Sequence, residues 1–234
     1  ELEKRMKKIF QAAKYGLYER ENGVKVMLNS HSLPGTIIDS NGWSLVHYMV
    51  AVTFDDGRPA WEPENIRHFF ENHVFYINAI DHWGNTPLHV ISQHQGNMDV
   101  IMWGGKKMSV EEAWIEMTKL FVSYGCDPRI TNHENILPHD LAGRSGCNSL
   151  ANYLEEKVKE LGDIDNISAA EKFDELVEAA GSNQIDKIIK LLKNHVPMLP
   201  ILAKHDPLVE AIRNGYTDVV FLLISAGASI CNCS

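Results

Sequence analysis

The sequence predicts an all-α fold built from repeated helical units, and three observations predict it. The phrase Asn78-Ala79-Ile80-Asp81-His82-Trp83-Gly84-Asn85-Thr86-Pro87-Leu88-His89 joins a tight-turn signal to a helix start, and parts of it recur along the chain. Apolar helical runs closed by a glycine turn recur between its copies, as in Phe221-Leu222-Leu223-Ile224-Ser225-Ala226-Gly227-Ala228 and Leu120-Phe121-Val122-Ser123-Tyr124-Gly125. Finally, 234 residues with 44% hydrophobic side chains can bury a substantial core, yet no apolar run is long enough to span a membrane.

Each residue of the phrase has a physical task. Asp81 can accept hydrogen bonds from nearby backbone amides, and Gly84 tolerates positive φ, so the pair suits a tight turn. Thr86 is a natural N-cap, and Pro87 fits the first helical position because its missing N–H would have no partner there. Leu88 points to the core. A histidine beside acidic residues can also signal a metal ligand or a general base, so His89 has a chemical reading next to its scaffold reading.

The pattern N-A-x-D-x-x-G-x-T-P-L-H resembles the core of an ankyrin repeat. The resemblance implies a solenoid of about six helix-turn-helix units with short β-hairpin fingers and two inter-helix insertions. It implies that Thr86 and His89 bond to each other's backbone, making His89 scaffold. Gly42, His47, Asp81, Gly84, Thr86, Pro87, Leu88 and His89 are then the structural repeat motif. It further implies hydroxylation of the asparagine before A-x-D, here Asn78; the family pattern has an acidic residue two positions earlier, where this chain has Tyr76.

The echoes set the register. Asp39-Ser40-Asn41-Gly42-Trp43-Ser44-Leu45-Val46-His47 keeps the Asp, the Gly, a hydroxyl cap and the His, while Asn132 to Ala142 keeps Pro138 but loses the Gly and the Thr. Leu176 to Ala180, Leu208 to Ile212 and Ile9 to Ala13 match the first-helix pattern without the His. Units then fall near 4–38, 39–80, 81–131, 132–167, 168–200 and 201–234. Residues 1–167 hold repeats one to four and 168–234 repeats five and six, with continuation past Ser234 expected because Phe221 to Ile224 lacks a polar capping helix. The charged start lacks a signal-peptide pattern, and Lys4 to Lys8 reads as the basic side of an amphipathic capping helix.

The insertions, near 51–62 and 93–108, fall between the first and second helix of their units. Ala51 to Trp61 reads as a loop with an Asp56-Gly57 turn, after which Glu62 and Pro63 begin a helix carrying Ile66, Phe69 and Phe70 on one face. Gln93 to Met108 reads as a second loop, ending at the capping box Ser109-Val110-Glu111-Glu112. Its middle is unusually apolar. Either Val100, Ile101 and Trp103 fold back onto the helices, or Met102 and Trp103 form a partner-binding knob.

Composition narrows the function. The net charge of −9 argues against a nucleic-acid backbone as partner. The cysteines, Cys126, Cys147, Cys231 and Cys233, lack disulfide or zinc spacing and point to a reducing compartment. No metal site is expected. Cys126, the best candidate nucleophile by expected exposure, comes without a local motif, and the chain has neither P-loop nor G-x-G-x-x-G. No catalytic residue and no cofactor are therefore assigned.

A protein-protein interaction scaffold is the expectation for this segment, a cytoplasmic monomer that is not an enzyme. Ankyrin proteins usually bind through hairpin tips and the concave face, which carries over to Ser40, Asn41 and Trp43, to His82, Trp83 and Asn85, and to His133 and Glu134. Trp43, His82, Trp83, Asn85, Met102, Trp103 and His133 are the partner-binding candidates; for each fingertip tryptophan, stacking between neighbouring fingers is the alternative. The inserts look similar to ankyrin-containing effectors that intracellular bacteria deliver into host cells, which implies action in a host cytosol. A competing reading is a targeting or regulatory module of an enzyme whose catalytic part follows residue 234.

Overall fold

The structure is a computed structural model and describes residues 2–21, 23–31, 39–73, 75, 77–94, 99–162, 166–193, 206–225 and 228. Among them are twelve helices and one two-stranded antiparallel sheet. The helices are α1 (Leu2–Lys14), α2 (Val24–His31), α3 (Leu45–Ala51), α4 (Pro63–Asn72), α5 (Pro87–Ser92), α6 (Val110–Ser123), α7 (Pro138–Arg144), α8 (Asn148–Leu161), α9 (Asn166–Gly181), α10 (Ile185–Lys193), α11 (Pro207–Arg213) and α12 (Thr217–Ser225). The strands are β1 (Val100–Trp103) and β2 (Lys106–Ser109). No helix among the described residues is long and apolar enough to cross a membrane.

The packing follows the chain. Helices α1, α3, α5 and α7 lie side by side in that order, α2, α6 and α8 pack on α1, α5 and α7, and α6 also packs on α8. Farther on, α9 packs on α10 and α11, and α11 on α12. The short helices α3 and α5 are buried nearly all round, with Leu45, Met49, Leu88 and Ile91 inaccessible to solvent. Such brief helices have little stability of their own and depend on this burial. Aromatic rings close α4 onto α6: Phe70 sits 5.2 Å from Phe121 and 4.8 Å from Tyr124 between centroids.

Helix starts follow their sequence signals. Pro63, Pro87, Pro138 and Pro207 each stand at the head of a helix. Ser109 caps α6 as its motif predicts: its hydroxyl accepts from Glu112 N–H at 3.1 Å, and its own N–H donates to Glu112 Oε2 at 2.7 Å.

The segment before Ser109 departs from expectation, because its apolar middle is a hairpin and not a loop. Ile101 pairs with Met108 and Trp103 with Lys106 around Gly104-Gly105, both at positive φ. That is the two-residue turn whose twist matches paired strands. Alternation along β1 then turns Ile101 and Trp103 inward and leaves Val100 and Met102 outside.

The two insertions hold each other. Trp103 Nε1–H donates to the Trp61 carbonyl at 3.0 Å, and Trp61 Nε1–H donates to the Ala13 carbonyl of α1 at 3.1 Å. Gly104 N–H donates to Glu62 Oε2 at 2.7 Å, and Arg58 reaches both the Phe54 ring and the Met102 carbonyl. Two indoles thus tie the hairpin, the first inserted loop and α1 in one line. Residues 163–165 and 194–205, and Cys231 with Cys233, lie outside the described residues.

Candidate functional site

Three turns precede α3, α5 and α7, and their local geometry is the same. In the first, Asp39 N–H donates to the Trp43 carbonyl while Asp39 Oδ1 accepts from Asn41 and Trp43 N–H. In the second, Asp81 N–H donates to the Asn85 carbonyl and Oδ1 accepts from Trp83 and Asn85 N–H, at 2.9 and 2.8 Å. In the third, Asn132 repeats the pattern with Ile136 and Glu134. Gly42, Gly84 and Asn135 take the left-handed position, at φ 78°, 77° and 58°. The third turn therefore keeps the shape although it loses the glycine, because asparagine tolerates that conformation.

Each turn is bonded to the next. His82 N–H donates to the Asn41 carbonyl at 3.2 Å, and His133 N–H to the Trp83 carbonyl at 3.0 Å. Below them, His47 and His89 span neighbouring units. His89 Nδ1 accepts from Thr86 N–H at 3.1 Å, with Thr86 Oγ1 2.9 Å away, and Nε2–H donates to the Ile136 carbonyl at 2.9 Å. His47 does the same with Ser44 and the Asn85 carbonyl. An Nδ1 that accepts from an amide must carry its proton on Nε2, so both rings are the neutral Nε2–H tautomer.

Burial pushes the pKa of His89 and His47 below the ordinary histidine value, against the opposing pull of the carbonyls they bond and of Asp81. His94 is lowered in the same way, stacked 3.9 Å from Trp114 and donating to the Val50 carbonyl at 2.7 Å. At the start of α7 Asp140 stands in the histidine's place and accepts from Leu137 N–H at 3.4 Å. Sequence resemblance placed His89 within its own turn; the reach to the next unit was not legible, because it depends on how units stack.

The fingertip candidates separate by exposure. Trp83 is 60% exposed, and His82 and His133 are exposed at the tips. Both histidines lie over the glycine of the preceding turn: a Cβ on Gly84 would stand 2.7 Å from His133 N, and one on Gly42 would stand 2.9 Å from His82 Cδ2. Trp43 is half-buried, its Nε1–H donating to Asp81 Oδ2 at 3.3 Å and its ring against Tyr48 and His47. Of the two fingertip tryptophans, Trp43 packs its ring on α3 behind its own turn and reaches the next finger through its N–H, while Trp83 stands exposed.

Two partner-binding candidates need correction. Asn85 is buried, its amide bridging Asp81 Oδ2 and the Asn132 Nδ2, so it links fingers and offers no surface. Trp103 is 2% exposed and folded under the hairpin, whereas Met102, on the other face of β1, is 56% exposed. Asn78, expected to accept a hydroxyl group, is also buried. Its Oδ1 accepts from Asp127 N–H at 2.8 Å and its Nδ2 donates to the Gly125 carbonyl, so its side chain fastens the turn after α6.

Cys126, expected to be the accessible thiol, is buried as well. Burial raises its pKa far above the usual thiol range, and its Sγ–H donates to the Ile77 carbonyl. Among the described residues no three His, Cys, Asp or Glu side chains are grouped to hold a metal ion. No protein-family model matches this chain, and no curated protein matches it.

Proposed function

We propose that the chain is an ankyrin-type solenoid acting as a protein-interaction scaffold, binding its partner through the row of turn tips. The observation that carries this reading is the ladder of three equivalent turns, joined by His47 and His89 and bonded tip to tip, beneath an uncovered Trp83. The ladder supports a rigid display: its polar groups are consumed in positioning backbone, so little ordering remains to oppose association. A large, stiff aromatic side chain with polar neighbours is the kind of group that anchors a protein interface. The engagement of His47, His89, His94 and Cys126 in neutral, buried contacts supports binding over catalysis for this segment.

The test is partner capture with the immobilised chain and with the Trp83→Ala, His133→Ala pair. Loss of captured proteins, with the helical circular dichroism and melting temperature unchanged, is expected. A folded double variant that keeps every partner would remove the fingertips as the working surface.

A further inference from the structure

The second insertion also walls a cleft in which the fingertips take no part. It has a volume of about 360 Å³ and lies between the hairpin, α4 and α6. Arg67 of α4 and Lys106 and Lys107 of β2 line it, facing Glu112 and Glu116 of α6 and the half-buried Met108. Both carboxylates already have partners. Glu112 is held by the amide and hydroxyl of Ser109, and Glu116 pairs with Lys119 at 2.7 Å. Among the described residues Arg67, Lys106 and Lys107 have no ion-pair partner, although the chain carries 31 acidic side chains against 22 basic ones. Three unpaired cations in one cleft of an acidic chain are a local reversal of its field.

The hairpin adds a backbone edge. In this register Trp103 with Lys106 and Ile101 with Met108 exchange the ladder bonds, so the peptide groups of Met102 and Lys107 point outward. On the β1 side, Arg58 occupies the Met102 carbonyl at 3.4 Å. On the β2 side, the Lys107 peptide groups have no partner among the described residues, and they stand beside the three cations.

We propose that this cleft binds an extended acidic peptide segment of a partner protein. Its backbone would pair with the outer edge of β2; Lys106 and Lys107 face opposite sides of that strand, so neighbouring carboxylates would meet Lys106 on one face and Lys107 on the other, with Arg67 across the cleft. An apolar side chain between them would rest on Met108. A peptide fits better than a nucleic acid: Glu112 and Glu116 sit in the same wall, and closely spaced phosphates would face them together, whereas a strand divides its charges between its two faces. The proposal rests on the reading of the chain as an interaction protein, though not on the fingertips.

Fluorescence anisotropy tests it, with the 234-residue chain and a labelled short peptide in which pairs of glutamates are separated by a leucine. Binding is expected to weaken about tenfold in Lys106→Glu, Lys107→Glu and to fall with added salt. The Trp83→Ala chain should bind as before, and the same peptide with lysine in place of glutamate should not bind. Should the hairpin variant fail to fold, Arg67→Gln, on the preformed α4, carries the test with the same direction of change. An absence of binding, equal binding in the folded charge-reversed variant, or a preference for a labelled single-stranded oligonucleotide would each overturn the proposal. Failure here while Trp83→Ala, His133→Ala still abolishes partner capture would remove the cleft and leave the fingertip reading standing.

Discussion

Along the fingers, three successive turns are held by the same polar contacts at each step, whereas the two inserted segments are held by contacts found once each. An Asp or Asn carboxyl or amide oxygen, a residue at positive φ and a bridging histidine recur at 39–47 and 81–89, and partly at 132–140. The insertions rely instead on Trp61 and Trp103, each used through one indole N–H and a large buried surface. Polar repetition gives a row of equivalent positions with small contributions at each. Aromatic anchoring concentrates stabilisation in single side chains, where one substitution should do most damage.

The largest expected effect therefore falls on the insertion side. Trp61→Ala removes a fully buried indole, its tilted contact with the Tyr18 ring at 5.4 Å and its bond to α1. A cost of about 3–5 kcal/mol is typical of such truncations in a core. Urea melts of the variant should show that loss, with a lower midpoint and an unchanged slope. A loss below about 0.5 kcal/mol, within the range of surface substitutions, would mean that the first insertion is dispensable packing and would erase the contrast.

Next comes the ladder. His89→Leu keeps the volume but leaves Thr86 N–H and the Ile136 carbonyl without this partner. The Ile136 carbonyl still accepts from Asn132 N–H, so the amide carries most of the penalty. About 2–3 kcal/mol is expected from one orphaned buried group and one weakened acceptor. His47→Leu should behave alike, since Ser44 and Asn85 stand where Thr86 and Ile136 do. Unequal costs in the two variants, measured by the same melts, would show that the finger positions are not equivalent.

Much of this ladder was legible in the sequence, and the reason is local. Asp81, Gly84, Thr86 and Pro87 act within a few residues of one another, as does the Ser109 cap, so spacing alone exposes them. The hairpin was missed although a signal was present: Gly104-Gly105 between two strand-length runs is a strong turn signature, but the continuously apolar Val100 to Trp103 also suits a loop folded onto helices. The fates of Trp103 and Asn85 were not legible, because each is decided by a residue some forty positions away, Trp61 and Asn132 respectively. Trp83 and Trp43 show the same limit: Trp43 stands just after its turn glycine and Trp83 just before its own, and Trp43 is held by Asp81 of the next finger, beyond the reach of local spacing.

Acid should act on the molecule through its buried histidines, two of which, His47 and His89, belong to the ladder. The folded-state pKa of His47, His89 and His94 is below the ordinary value of 6.5, so the unfolded chain binds more protons than the native one as pH falls past that value. Stability is then full above about pH 6.5 and declines on acidification, by at most about 1.4 kcal/mol per pH unit for each histidine. The decline continues down to the lowered folded values. Thermal melts between pH 7.5 and 5, about a unit either side of the histidine range, read it. The slope should shrink in His89→Leu and persist in Trp61→Ala; a slope unaffected by removing His89 would assign the acid response elsewhere.

The smallest effects come from two glycines that share a backbone conformation and differ in what stands beside them. Gly105→Ala, at φ 73° with nothing within 4 Å of the added Cβ, meets only the strain of the left-handed region, about 1 kcal/mol. Gly84→Ala, at φ 77°, meets the same strain and drives its Cβ to 2.7 Å from the backbone nitrogen of His133. Main chain cannot swing aside as a side chain can, so the next finger must move and its bond to the Trp83 carbonyl must stretch. A further loss of about 1 kcal/mol over Gly105→Ala is expected, near the worth of that hydrogen bond. Amide hydrogen exchange locates it: His133 N–H should lose protection in Gly84→Ala and keep it in Gly105→Ala. Equal exchange in the two variants would mean that the fingers are merely adjacent, and that the rigidity attributed to the row resides in the buried histidines alone.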